Sequence, residues 1–139
     1  MRIDTFCFLT AALAALTGMG LGLYMGINQD FTLAPAHAHL NLLGWVTMAL
    51  YGLYHRGAGR PAKRLGWAQV GCGAAGFPLM AGGLGVVLAT GHHAATDVIV
   101  AGALMSFLGM VLFLAVVVTG MVSDAAAIPA DHDRRGFGW

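Results

Sequence analysis

The chain has 139 residues, 58% of them hydrophobic and only 9% charged, with a formal net charge of +1 and no glutamate. That composition excludes an ordinary soluble domain and belongs to an integral membrane protein. Acids and bases nearly cancel, so nothing in the charge balance speaks for a nucleic-acid partner.

The charged residues leave four uncharged stretches, 5–29, 31–55, 65–96 and 98–123. Each exceeds the roughly 20 apolar residues needed to cross a bilayer. Backbone in lipid must satisfy its own hydrogen bonds, so these stretches are expected to be helices. The predicted architecture is an all-α, four-transmembrane-helix bundle over residues 1–123, with a polar tail at 124–139. With four crossings, Arg2, Arg56, Arg60, Lys63, Arg64, Arg134 and Arg135 all fall on one side, while the opposite loops carry only Asp30 and Asp97. The positive-inside rule then makes both termini cytoplasmic. The expected location is a bacterial inner (cytoplasmic) membrane, with the 28–36 and 90–97 loops facing outward.

The first helix is predicted over residues 5–27. Arg2 ahead of an apolar run has the look of a signal peptide, but the run continues to Ile27, longer than an ordinary signal core, and reads as a retained span. Gly18, Gly22 and Gly26 recur every four residues and form a smooth ridge for another helix. The second helix is predicted over 36–55, with Pro35 in its first turn, where a missing N–H costs nothing. His37 and His39 lie in its opening turns. His55, at its other end, and the basic turn through Arg64 read as contacts to phospholipid headgroups.

The third helix, 65–89, is rich in glycine and contains Pro78, which is expected to kink it. The bend is either the ordinary tolerance of a membrane helix for proline or an opening for a flat ligand. Gly91 is expected to end that helix and begin the turn Gly91-His92-His93. The fourth helix, 94–122, is the most lipid-like. His132, in the tail, reads as solvated. Cys7 and Cys72 fall in the reducing half and are expected to be packing residues without a disulfide.

Four of the six histidines, His37, His39, His92 and His93, thus share the outer end. On a helix His37 and His39 are two steps of about 100° apart and point to nearly opposite faces. His37 shares a face with Asn41, and His39, the deeper of the two, is the expected inward ligand. Asp97 follows His93 by four residues and would accept its ring N–H if the fourth helix has begun, fixing the tautomer. Ionisable residues at membrane depth point to function. Two ligand sets fit. Two imidazoles from facing helices would bind b-type haem, with glycine-rich walls admitting the ring. Alternatively, His37, His39, His92 and His93, with Asp97, would hold a copper or zinc ion. The lack of cysteine and glutamate ligands there argues against iron–sulfur and di-iron carboxylate centres.

The stretch Ala36-His37-Ala38-His39-Leu40-Asn41-Leu42-Leu43-Gly44-Trp45, continuing through Met48, Tyr51-Gly52 and Tyr54-His55-Arg56, resembles a helix of short relatives of haem-copper oxidase subunit I. The resemblance covers roughly 20 residues, the remainder matching by hydropathy alone. It implies His39 or His37 as one axial haem ligand and His92 or His93 opposite. The chain has far fewer helices than the full enzyme and lacks its His–Tyr copper site and proton-path glutamate. The resemblance therefore implies haem or metal binding, not oxygen reduction.

The sequence leads to a small membrane electron-transfer module holding haem b, or a copper or zinc ion, near its outer face. His39 and His93 would be axial, with His37 and His92 beside them. The bilayer, a second copy or a larger membrane complex, and quinol are its expected partners. A cofactor-free accessory subunit of a respiratory or photosynthetic complex is the rival reading.

Overall fold

The computed structural model describes residues 1–58 and 63–127, and every element among them is helical. Helix α1 (Ile3–Asn28) begins directly after the extended Arg2. It ends where Gln29 turns into the left-handed region, its N–H capping the Met25 carbonyl. Helix α2 (Ala34–His39) opens with Pro35 in its first turn, as expected. It passes without a break into a π-helical segment (Leu40–Thr47) and then helix α3 (Met48–Gly57). The second expected helix is thus one continuous helical run with wide turns at its centre. Helix α4 (Lys63–Thr90) continues through Pro78. Gly91, at φ +68, ends it, a backbone angle that glycine adopts without steric cost. A short 3₁₀ turn (His93–Ala95) leads into helix α5 (Thr96–Ala127).

Helix α1, the run from Arg64 to Thr90 and the run from His93 to Ser123 are each long and apolar enough to cross a membrane. Helix α5 extends past residue 122, so 124–127 continue the helix where a polar tail was expected. The remainder of that tail, with His132, Arg134 and Arg135, lies outside the described residues, as does the 59–62 part of the basic turn.

The core unites Cys7, Ala11 and Ala14 of α1 with Met48 and Tyr51 of α3 and Val70 and Phe77 of α4. Gly44 of the π segment is a point of close approach in this core: a Cβ there would lie 2.8 Å from both Ala14 and Phe77. The cysteines are unbridged, Cys7 fully buried and Cys72 half-buried. Leu9, Leu13, Leu16 and Leu23 of α1, with Leu104, Phe107 and Leu114 of α5, are exposed, as lipid-facing side chains should be.

The glycines of α4 serve helix packing. Gly76 lies under Ser106 and the Gly102 carbonyl, Gly83 against Ile99, and Gly73 against Gly109. Gly76 and Gly83, like Gly102 and Gly109, are seven residues apart, two turns on one face. Small residues at this period let two helical backbones touch, which is how membrane helices associate without a hydrophobic drive between them. The Gly76–Gly83 face of α4 is thus covered by α5, while Gly71 and Gly82 face open space.

Candidate functional site

The π segment begins immediately after His39. Wide turns of this kind concentrate at functional positions in helices, usually as single turns rather than eight residues. Two side chains serve the altered backbone ladder. Asn41 donates through Nδ2 to the His37 carbonyl at 2.9 Å, where the helix changes step. Thr47 Oγ1 donates to Leu42 O at 2.8 Å, five residues back. Thr17, Thr90 and Thr119 reach only four back, as an α-helix dictates. Hydrophobic spacing in the sequence carries no sign of the π segment.

His37 is half-buried and turned onto α1. A Cβ on Gly22 would be 3.0 Å from its Cε1, and one on Gly18 would be 2.5 Å from Asn41 Oδ1. The glycine ridge therefore receives the His37–Asn41 face at two of its three positions; Gly26 is open. Asn41 Nδ2 is 3.4 Å from both nitrogens of the His37 ring. A point equidistant from both at that range lies over the ring face, since in the ring plane it would collide with Cε1. The amide thus leaves both in-plane nitrogen positions of His37 clear.

His39 is also half-buried, and His37 packs against the neighbouring helix α1. His39 Nδ1 is 2.8 Å from the carbonyl of Pro35. A carbonyl only accepts, so Nδ1 is the donor of this contact. In the neutral ring this leaves the lone pair on Nε2, the tautomer a metal ligand needs.

His92 and His93 are exposed. The expected His93–Asp97 pair is not formed among the described residues. The reason is local: His93–Ala95 is a 3₁₀ turn and α5 begins only at Thr96. At three residues per turn, position i+4 no longer stands over position i. Nor do any three His, Cys or Asp side chains among the described residues gather closely enough to hold an ion. His37, His39, His92, His93 and Asp97 therefore do not assemble the expected copper or zinc cage within one chain.

The fit to haem is partial and specific. His39 has the right tautomer for one axial position. The seam between α2 and α4 is closed beside it, since a Cβ on Gly85 would be in ordinary contact, 3.8 Å, with Ala36. A macrocycle on His39 would lie outside that seam.

A second polar cluster lies at the opposite end. His55, expected at the headgroups, is 8% exposed, and its Nε2 is 2.9 Å from Oε1 of the fully buried Gln69. Gly66 makes room for the imidazole: a Cβ there would be 2.9 Å from His55 Cε1. Gln69 Nε2 has no partner among the described residues. Tyr51 and Tyr54 pack on Phe113 of α5, with centroids at 4.7 and 5.2 Å. His55 thus ties α3 to α4 instead of meeting lipid. No protein family, curated protein or solved structure matches this chain.

Proposed function

We propose that this is a four-crossing protein of a bacterial inner membrane, with both termini cytoplasmic, that holds b-type haem at its outer end and transfers electrons. On this reading it is a small relative of haem-copper oxidase subunit I. The observation that carries the proposal is the 2.8 Å contact of His39 Nδ1 with the Pro35 carbonyl, which presents Nε2 as a ligand. The unbroken helical run from Ala34 to Gly57 supplies the fourth crossing. His93, exposed in the outer turn, is the second imidazole, offered by the same chain or by a second copy. Because the α2–α4 seam is closed, a haem on His39 sits at the bundle surface, where a second copy or a larger complex would cover it. Bound haem supplies one-electron chemistry, suited to exchange with a quinol pool. The chain's own contribution is to fix the His39 tautomer and to hold the ring at the rim through Pro35. An ion held by all four histidines has less support, because no three of them converge.

The test is the visible spectrum of the purified protein together with metal analysis. The expected result is a Soret band with split visible bands, lost in His39→Ala and His93→Ala and kept in His92→Ala, with all variants inserted and helical. Full haem retention in His39→Ala overturns the assignment. A colourless protein containing copper or zinc replaces haem with an ion, and a metal-free protein purifying with stoichiometric partner chains replaces both with an accessory subunit.

A further inference from the structure

At the opposite end from the histidine rim, the start of α1 and the end of α3 border an open cleft of about 440 Å³. It is lined by Arg2, Asp4, Thr5, Phe8, Leu9 and Arg56. Its charges are unequally engaged. Arg2 donates through Nε and an Nη to the two oxygens of Asp4, at 3.1 and 3.2 Å. The Asp4 side chain is only 12% exposed, whereas that of Arg2 is 77% exposed. The carboxylate is thus sheltered and neutralised, while Arg2 keeps further N–H groups facing outward, since a guanidinium has five. Arg56 is exposed and has no ion-pair partner among the described residues. The net charge of the lining is one positive, displayed by two guanidinium groups, one just before α1 and one near the end of α3. Guanidinium forks match the oxygens of phosphate and carboxylate groups, and two forks can divide the several oxygens of one phosphate between them.

The other wall is apolar. Phe8 and Leu9 lie one turn below Thr5, and Leu9 continues into Leu13 and Leu16, exposed by 55, 66 and 67%. Positions 9, 13 and 16 fall on one helical face. An anionic head between the arginines would therefore have its apolar part led along α1 into the hydrocarbon.

We infer that the Arg2–Arg56 cleft is a binding site for a phosphate ester, supplied by an anionic phospholipid whose acyl chain lies along Leu9, Leu13 and Leu16. Nothing in this inference depends on the haem proposal. The test is native mass spectrometry of the full chain in detergent. It is titrated separately with dioleoyl phosphatidylglycerol, dioleoyl phosphatidylcholine and inorganic phosphate, and compared with Arg56→Gln and with Arg64→Gln. Arg64 is an exposed base at the same end that does not line the cleft.

The expected result is retention of phosphatidylglycerol over phosphatidylcholine, and little retention of phosphate. Retention should fall about fivefold in Arg56→Gln, the size of one basic residue's attraction to an anionic surface, and stay unchanged in Arg64→Gln. Equal losses in the two variants would reduce the effect to general surface charge and overturn the site. Equal retention of both lipids would overturn it as well, and phosphate binding as tightly as the lipid would overturn the lipid as its source.

Discussion

His37 and Gly22 are fitted to each other across the α1–α2 seam, with a Cβ on the glycine standing 3.0 Å from Cε1 of the imidazole. Asn41 and Gly18 repeat the relationship one turn further along. A branched side chain at Gly18 must push Asn41 off the His37 carbonyl, so Gly18→Leu should destabilise the protein by about 1–3 kcal/mol, the usual cost of overpacking. Gly26→Leu, on the same ridge but facing open space, should be close to neutral. Thermal unfolding of both variants in detergent checks this pair.

The α4–α5 seam is less forgiving. A Cβ on Gly102 would fall on the backbone nitrogen of Met80, which cannot turn aside as a side chain can. Gly102→Ala should lower thermal stability clearly, whereas Gly82→Ala, where the added methyl meets nothing, should leave it unchanged or slightly raise it through helix propensity. Equal effects of the two substitutions in a melting experiment would contradict this packing.

The buried His55–Gln69 pair should behave as a coupled unit. His55→Leu takes from the fully buried Gln69 the imidazole partner of its Oε1, at a cost of about 1–3 kcal/mol. Replacing both by leucine removes the unpaired group as well, so the double variant should be more stable than the sum of the single losses predicts. A strictly additive double-mutant cycle would show that the 2.9 Å contact contributes nothing.

The turn after α1 should respond to acid. Asp30 Oδ1 accepts from the Thr32 hydroxyl at 2.6 Å and from its backbone N–H at 3.0 Å. These bonds, the hydroxyl first, hold the Asp30 carboxyl below the ordinary aspartate range. A carboxylate held low stabilises the folded turn at all pH values above its unfolded pKa. That contribution disappears as pH falls through the folded value. The protection factor of the Thr32 amide, in which the intrinsic pH dependence of exchange is divided out, should therefore fall only under acidic conditions, and Asp30→Ala should abolish that fall.

Much of this architecture was legible from single residues. Charges at Asp4, Asp30, Arg64, Asp97 and Asp124 bracket the apolar stretches, and Pro35 and Gly91 mark a helix start and a helix end where the structure has them. The glycine ridge on α1 announces a packed face that the structure has at Gly18 and Gly22 but not at Gly26. Other features were hidden because they depend on partners distant in sequence. His55 reads as a headgroup contact until Gln69, fourteen residues later, is brought beside it. The glycines of α4 could have received a ligand or a helix, and only Gly102 and Gly109 on α5 decide between them. The His93–Asp97 spacing suggested a pair, but it presumed an α-helix where the chain makes a tighter turn.

The π segment makes residue number itself a structural variable. A residue added to or removed from an α-helix rotates the remainder by about 100°, but a π turn, bonded i→i+5, takes in one residue more than the α turn it replaces. Deleting one residue between Leu40 and Thr47 would therefore offer the backbone an ordinary α-helix with its flanking faces near their present phase, the His37–Asn41 face still on α1 and Tyr51 and His55 still against their neighbours on α4 and α5. In divergent copies of this protein, that interval should tolerate the loss of one residue where the rest of the run does not.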